Sequence, residues 1–282
     1  KKFIHGAILA IINLLKTAST MERSPANAGR KLKNNTRVRT YLVKPLNPAH
    51  HSHFHPLLGV TELVAFDLET TGLRPKLEEI TQVAAIRMGG MRMEAEDSFT
   101  SYVNPGKPIP KRIQKLTRVR DQHVANAPSP AEAVQMLSDF AGQATFFGHD
   151  VYRFDFKFIE KHVNKEPGQS RTVRFIDTMD IFEMLWPDFS RLRNSLDDIA
   201  ERLTAGLSSI RRHDALGDAI LLANVFQRIQ NHPELERLCS LVPVHETLMP
   251  TLSPIAKRGA LLNDHSFPMG TPILQPPRFY RS

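Results

Sequence analysis

Two acidic residues, Asp67 and Glu69, stand two positions apart at the end of the apolar segment Leu63-Val-Ala-Phe-Asp-Leu-Glu-Thr-Thr-Gly-Leu73. Side chains two residues apart on a β-strand point to the same face of a sheet, so the intervening apolar residues would face a core. Two carboxylates held this close raise each other's pKa unless a cation lies between them. The pair therefore predicts a strand that carries a site for a hard divalent metal. From the pair alone, a strand that ends in solvated acids remains an alternative.

Strand patterns precede helix patterns between residues 61 and 232. Strands are predicted at 62–68, 79–88 and 91–102, with a further short buried strand at Thr145–Gly148. Helices are predicted from Ser129 to Gly142 and at about 154–165, 177–186, 195–204 and 214–231. Capping boxes at Ser129/Glu132 and Ser195/Asp198 mark two of the helix starts. Three successive strands, then strands alternating with helices, predict an α/β fold with a mixed central sheet flanked by helices.

Positive charge is concentrated at the N-terminal end of the chain. The net charge is +8, but residues 1–60 contain ten Lys and Arg against one acid, Glu22. The segment 61–232 carries about −2 and the segment 233–282 carries +1. We therefore predict three parts: a basic N-terminal arm or linker at 1–60, a globular domain at 61–232 and a Pro-rich, loosely ordered C-terminal extension at 233–282. The arm indicates a polyanionic partner.

Four histidines in the arm, His50, His51, His53 and His55, could bind a transition metal, or belong to a histidine-rich linker. The only cysteine, Cys239, excludes an internal disulfide and a cysteine-based zinc site, and it favours a reducing compartment. The apolar run at residues 3–15 is too short for an ordinary membrane span. We therefore expect a cytoplasmic protein without stable membrane association.

Asp155 is the third acid that the sequence singles out. It follows the apolar strand pattern at Phe146 and a Gly-His turn, and it stands at the start of the helix pattern that includes Phe158 and Ile159. An acid at a helix start is also favoured by the helix dipole alone, so a purely structural aspartate is the alternative.

His213 and Asp218 form the last candidate pair. If the helix begins just after His213, the imidazole lies on a loop while Asp218 points inward from the first turn. A histidine in a loop beside a buried acid suits proton transfer near neutral pH. A surface histidine before a helix is the alternative.

Taken together, three motifs resemble a known family. The segments Phe66-Asp-Leu-Glu-Thr-Thr-Gly-Leu73, Phe154-Asp155 and His213-x4-Asp218 are similar, in order and approximate spacing, to the motifs of the DnaQ-like DEDDh 3′-5′ exonucleases. That family includes the proofreading epsilon subunits of bacterial DNA polymerase III. The resemblance covers about residues 61–230.

The resemblance implies an RNase H-like fold and a two-metal active site. Asp67, Glu69, Asp155 and Asp218 would bind two Mg²⁺ or Mn²⁺ ions, and His213 would act as general base. Further positions match those that bind the 3′-terminal nucleotide in the family, or lie near it: Leu68, Thr70, His149 and Phe154. The implied substrate is a single-stranded or frayed 3′ end of DNA, and the implied products are nucleoside 5′-monophosphates. A DNA polymerase subunit is an implied partner.

Two positions depart from the family pattern. Asp150 stands where the family often has Asn, with one extra residue before Asp155. Arg118 stands where relatives commonly have Gly, which leaves substrate handling by that loop open. Two alternatives also stay open: a 3′-5′ exoribonuclease of the RNase T or oligoribonuclease type, and a non-catalytic nucleic-acid-binding module associated with a polymerase.

Overall fold

The segment that ends in Asp67 and Glu69 forms strand β1, Leu63–Thr70, which lies inside a six-stranded mixed sheet. This computed structural model describes residues 55–59, 61–88, 98–186, 195–206 and 210–253. β2 and β3 pair antiparallel next to β1, and β4 and β5 pair parallel on its other side. β6 pairs antiparallel with β5, so the strand order is β3-β2-β1-β4-β5-β6. The remaining strands are β2 Ile80–Met88, β3 Ser98–Tyr102, β4 Thr145–Gly148, β5 Ser170–Asp177 and β6 His245–Pro250.

Helices occupy most of the connections between these strands. In chain order they are α1 Lys111–Thr117, α2 Asp121–Val124, α3 Pro130–Ala141, α4 Asp155–Ile159, α5 Thr178–Leu185, α6 Leu196–Arg202, α7 Ala215–Gln230 and α8 Leu235–Leu241. Short 3-10 turns are present at Pro56–Leu58 and Glu160–His162. The predicted capping boxes are confirmed at the starts of α3 and α6, and each such cap typically contributes about 1 kcal/mol.

Both faces of the sheet are covered by apolar layers. On one face, Val64 and Phe66 of β1 pack with residues of α3 and α4. On the other face, Ala65 packs with residues of α7, which crosses β1 and β2. Phe66 is completely buried, and burial of such a side chain stabilises a fold by about 1.5–3 kcal/mol. This two-sided packing fixes the register of β1 and therefore the face on which Asp67 and Glu69 lie.

The strands and helices predicted within residues 61–232 are confirmed where the structure describes them, with limits that differ by a few residues. Of the strand predicted at 91–102, the structure describes only β3, because residues 89–97 lie outside the described residues. β5, α1 and α2 were not predicted. The helix predicted at 154–165 is shorter, because α4 ends at Ile159 and continues as the 3-10 turn. The prediction of a loosely ordered tail from residue 233 is wrong for residues 235–250, which form α8 and β6. β6 completes the sheet by pairing from Ser170↔Pro250 to Phe175↔His245. Residues 245–250 form a strand because they pair with β5, which is distant in sequence, and local periodicity did not reveal this.

The end of the predicted arm also belongs to the fold. Leu57 is completely buried in the layer that contains α7. His55 accepts a hydrogen bond from the Leu57 amide at Nδ1, and its Nε2 lies 3.1 Å from the Val242 carbonyl oxygen. Thus His55 caps a turn. The predictions for residues 1–54, including the other three histidines, and for 254–282 lie outside the described residues.

Candidate active site

Asp67 and Glu69 lie near the C-terminal end of β1, where the register places them opposite Ala84 and Gln82 of β2, respectively. Burial, then the negative charges of Asp155 and Glu69, raise the pKa of Asp67 well above its usual range. Burial and the Asp214 and Asp155 carboxylates raise the pKa of Glu69 to about 7. The pair predicted to repel therefore does so, and other acids add to the repulsion.

The loop at 149–154 brings Asp155 to the same end of β1. Asp155 begins α4, is only 3% exposed, and its Oδ1 accepts a hydrogen bond of 3.2 Å from the Leu68 amide of β1. Burial raises the pKa of Asp155 to about 8, with the Asp177 carboxylate adding to it. Asp155 is thus the acid that is hydrogen-bonded to β1.

Asp177 organises that loop, a role that the sequence did not reveal. Its two carboxylate oxygens accept hydrogen bonds from the amides of Asp150 at 2.9 Å, Tyr152 at 3.0 Å and Met179 at 3.0 Å. Burial raises the pKa of Asp177 to about 6. The carboxylate therefore holds both the extended loop before Asp155 and the start of α5 in fixed positions.

The geometry anticipated for His213 and Asp218 is present. α7 begins at Ala215 with Asp214 as its N-cap, so His213 lies on the preceding loop and Asp218 in the first helical turn. Asp218 is 6% exposed, whereas His213 is exposed. One ligand atom each from Glu69, His213 and Asp218 lies within 4.8 Å of the others. The last motif and the β1 motif therefore meet in one cluster.

Partial burial and nearby cations favour the neutral form of the His213 imidazole. Partial burial and then the Arg212 and Arg118 cations lower the pKa of His213 below its ordinary value, despite an opposing effect of Asp197. His213 also has a positive φ of 55°, a backbone conformation uncommon outside glycine. The His213 imidazole, which can accept a proton, therefore lies beside the carboxylates of Glu69 and Asp218.

Arg212 is the cation within this acidic cluster, and nothing in the sequence singled it out. Its guanidinium forms ion pairs with Asp197 of α6 and Asp218 of α7, and its side chain is 21% exposed. Its charge also acts against the raised pKa values of Asp67 and Glu69. The sequence Arg211-Arg212-His213 gave no indication that the Arg212 side chain would point into the acidic cluster.

Comparison with known proteins decides the family. The profile of the RNase T family, described as Exonuclease, matches residues 64–226, which include all five clustered positions. The chain belongs to this exonuclease family. The predicted membership of the DnaQ-like exonucleases is thereby confirmed.

Relatives of this exonuclease include proteins named as DNA polymerase III or its epsilon subunit. It is 32% identical over 167 residues to the DNA polymerase III subunit epsilon of Aquifex aeolicus, covering 59% of this chain and 79% of that protein. It is 31% identical over 204 residues to a DNA polymerase III subunit epsilon-like protein of Rhodobacter capsulatus, covering 71% of this chain. The match spans only 27% of the Rhodobacter protein, and for several other curated relatives it spans less than a fifth of their length.

Solved structures show the same fold at low sequence identity. The nuclease domain of a 3′-exonuclease, described as a DEDDh family member bound to rAMP, is 16% identical with a TM-score of 0.50. The match covers 69% of this chain and 98% of that domain. The mixed sheet with its flanking helices is therefore the RNase H-like fold predicted from the sequence.

The donor set of this exonuclease suits hard divalent ions, on which families of this kind depend. Three carboxylates with raised pKa values, those of Asp67, Glu69 and Asp155, converge with Asp218, and carboxylate oxygens are the ligands that Mg²⁺ prefers. Burial is the main cause of each raised pKa and neighbouring carboxylates add to it, so the ionised form of these acids is disfavoured without a cation. Cations supplied from solution would stabilise that form.

Of the four residues predicted to contact a terminal nucleotide, two are buried and two are partly exposed. Leu68 is buried in the apolar layer on the face opposite Asp67 and Glu69. Thr70 is 6% exposed, and its hydroxyl donates to the Gly72 carbonyl oxygen at 2.8 Å. His149 and Phe154 are partly exposed on the loop before Asp155, and His149 Nδ1 lies 2.8 Å from the Thr178 hydroxyl. The structure therefore does not bring the Leu68 side chain to the acidic face.

Proposed function

We propose that this chain is a metal-dependent 3′-5′ exonuclease that releases nucleoside 5′-monophosphates from DNA 3′ ends. The observation that carries the proposal is the convergence of Glu69, Asp218 and His213 within 4.8 Å, beside Asp67 and the buried Asp155. The family membership and the epsilon-type relatives support the same activity.

Each of the five residues has a proposed role in hydrolysis. Asp67, Glu69, Asp155 and Asp218 would hold two Mg²⁺ or Mn²⁺ ions, whose chemistry is to neutralise charge on the attacking and leaving oxygens at phosphorus. His213 would accept the proton of the attacking water, since its lowered pKa keeps Nδ1 or Nε2 unprotonated at neutral pH. Because His213 is exposed, it would pass that proton to solvent.

Binding of the terminal nucleotide is proposed for the neighbouring loops. The partial exposure of His149 and Phe154 supports contact between these side chains and the substrate. The side chains of Leu68 and Thr70 are buried, so these residues would contribute by holding the β1 backbone in position beside the site.

The direct experiment is Mg²⁺-dependent release of mononucleotides from a 3′-end-labelled DNA strand. Asp67→Ala and His213→Ala should each lose activity by about 100-fold or more, as expected for removal of a metal ligand or a general base. Asp150→Asn is the matched control, because Asn tolerates the positive φ of 54° at this position and Asp150 is not assigned to the cluster. Persistence of activity in both Ala variants would reject the assignment.

DNA and RNA strands of the same sequence should be compared in the same assay. Faster cleavage of RNA would replace the DNA proposal with the exoribonuclease alternative. Strand binding without any cleavage would favour the non-catalytic module.

The proposed domain limits change with the fold. We propose that the exonuclease domain predicted at 61–232 continues through β6, and that Leu57 belongs to it. We also propose that the basic arm binds nucleic acid, and this should be tested with a chain that starts at residue 55 rather than 61. Unchanged affinity of that shortened chain for DNA would reject a role for the arm. A polymerase partner and a cytoplasmic location remain predictions. Among the residues that the structure describes, none of the helices has the length and hydrophobicity of a membrane span.

A further inference from the structure

A basic surface lies on α1 and the turn that follows it. Within residues 111–120 there are five cationic side chains and no acid, in a domain whose net charge is about −2. All five side chains are exposed. None of them forms an ion pair with a carboxylate in the part of the chain that the structure describes. We call this set, Lys111, Arg112, Lys115, Arg118 and Arg120, the α1 basic surface.

The backbone beneath this surface is held firmly. Ile109, Val119 and Val124 form a small apolar cluster below α1 and α2. Asp121, the first acid after the surface, accepts hydrogen bonds from the Ile109 amide at 2.8 Å and from Gln114 Nε2 at 3.0 Å. Its carboxylate is thus engaged in holding the segment together. The cations face solvent from a fixed support.

Arg118 joins this surface to the active site. It ends α1 with a φ of 64°, a left-handed conformation in which a glycine avoids a steric penalty of roughly 1–2 kcal/mol. From this position its Nη1 donates a 3.1 Å hydrogen bond to the carbonyl oxygen of Arg212, next to His213. Its charge also contributes to the lowered pKa of His213. The C-terminal end of α1 therefore lies beside the proposed site of cleavage.

The other cations continue away from that point. Lys111 and Lys115 are four residues apart, so they lie on one side of α1 and are separated by about 6 Å along its axis. Arg112 and Lys115 are three residues apart and are also neighbours on the helix surface. Positive charge consequently extends along the helix from the His213 loop.

We propose that the α1 basic surface binds the backbone phosphates of the single strand whose 3′ end enters the active site. The proposal rests on the proposed function for the position of that 3′ end. Phosphate contacts of this kind supply affinity that is independent of sequence and weakens with salt. Arg118 would contact the phosphates nearest the cleaved bond, and Lys115, Arg112 and Lys111 those farther toward the 5′ side.

The test compares two triple variants with the same change in charge. In one, Lys111, Arg112 and Lys115 become Gln. In the other, Lys165, Arg174 and Arg228 become Gln; these three side chains are exposed and lie outside α1. The dissociation constant of a fluorescently labelled single-stranded oligonucleotide is measured with EDTA present over a series of salt concentrations. Cleavage of the same strand and of the 4-nitrophenyl ester of thymidine 5′-phosphate is measured with Mg²⁺.

The α1 triple variant should bind the strand about ten-fold more weakly at low salt. The slope of log binding constant against log salt concentration should be smaller in magnitude by about 2, because each of the three lost phosphate contacts contributes about 0.7 to it. Its kcat and its hydrolysis of the small ester should match those of the parent protein. Replacement of Lys111 and Lys115 by Arg should leave the slope unchanged. Equal slopes for the two Gln triple variants would overturn the inference.

The outcomes for the two proposals are separable. If the parent protein cleaves the ester and the strand but the α1 triple variant binds as the control does, this inference alone fails. If the parent protein binds the strand through α1 but cleaves neither substrate, the proposed function fails and strand binding by α1 stands.

Discussion

In the absence of divalent metal, the protein should lose stability as the pH rises from about 5 to 7. The cause is a group of buried acids whose folded pKa values are raised, among them Asp155 to about 8 and Glu69 to about 7. An acid with a raised folded pKa keeps its proton in the native state after the unfolded chain has released it. Stability therefore falls with pH between the ordinary pKa and the folded pKa.

The size of this change in the free energy of unfolding depends on the number of protons that the native state binds and the unfolded chain does not. Each such proton removes about 1.4 kcal/mol of stability per pH unit. Over two pH units Asp155, which is only 3% exposed, would account for about 3 kcal/mol. Glu69 is more exposed, so it adds less. For a domain of this size, about 3 kcal/mol corresponds to a change in Tm of about 10 °C.

Thermal unfolding followed by circular dichroism in EDTA, at several pH values, measures this effect. Asp155→Asn is the matched variant, because the Asn side-chain oxygen can still accept the hydrogen bond from the Leu68 amide but the side chain has no acidic proton to lose. The variant should show a flatter pH dependence than the parent protein, and Mg²⁺ or Mn²⁺ should flatten that of the parent protein. Parallel curves for parent and variant would refute the reasoning.

Two further predictions concern the loop before α7. Arg212→Gln should bind Mn²⁺ about ten-fold more tightly by isothermal titration calorimetry, because the variant lacks the cation that competes for the acidic cluster; weaker binding would contradict this role. Gly217→Ala should lower kcat by about 10- to 100-fold, because a Cβ at this position would overlap the Arg211 carbonyl oxygen and displace the His213 loop. An unchanged kcat in a folded Gly217→Ala variant would show that the loop tolerates the shift.

The parts of the fold that local patterns encode were predictable. The alternation around Phe66 fixed both faces of β1, and the serine caps at Ser129 and Ser195 marked the starts of α3 and α6. The inward position of Asp218 followed from helix geometry once the helix start was placed after His213. These features depend on residues that are close in sequence.

The features that escaped prediction depend on distant contacts. β5 and β6 alternate polar and apolar residues weakly, and their pairing becomes evident only across some seventy residues of chain. The inward fold of Arg212 depends on Asp197 of α6, and the role of Asp177 depends on amide groups of the loop at 150–152. Arg118 was noted from the sequence because relatives commonly have Gly at this position, but its left-handed conformation and its hydrogen bond to the His213 loop became evident only in the structure.

The central claim is that the acidic cluster directs water to the terminal phosphodiester of a 3′ end. Single-turnover cleavage of a DNA strand in H₂¹⁸O with Mg²⁺, followed by mass spectrometry, tests it directly. The account predicts that the first product is the 3′-terminal nucleoside 5′-monophosphate with one ¹⁸O atom in its phosphate, and that Asp67→Ala abolishes it. Release of a nucleoside 3′-monophosphate, or a first product derived from the 5′ end, would contradict the account.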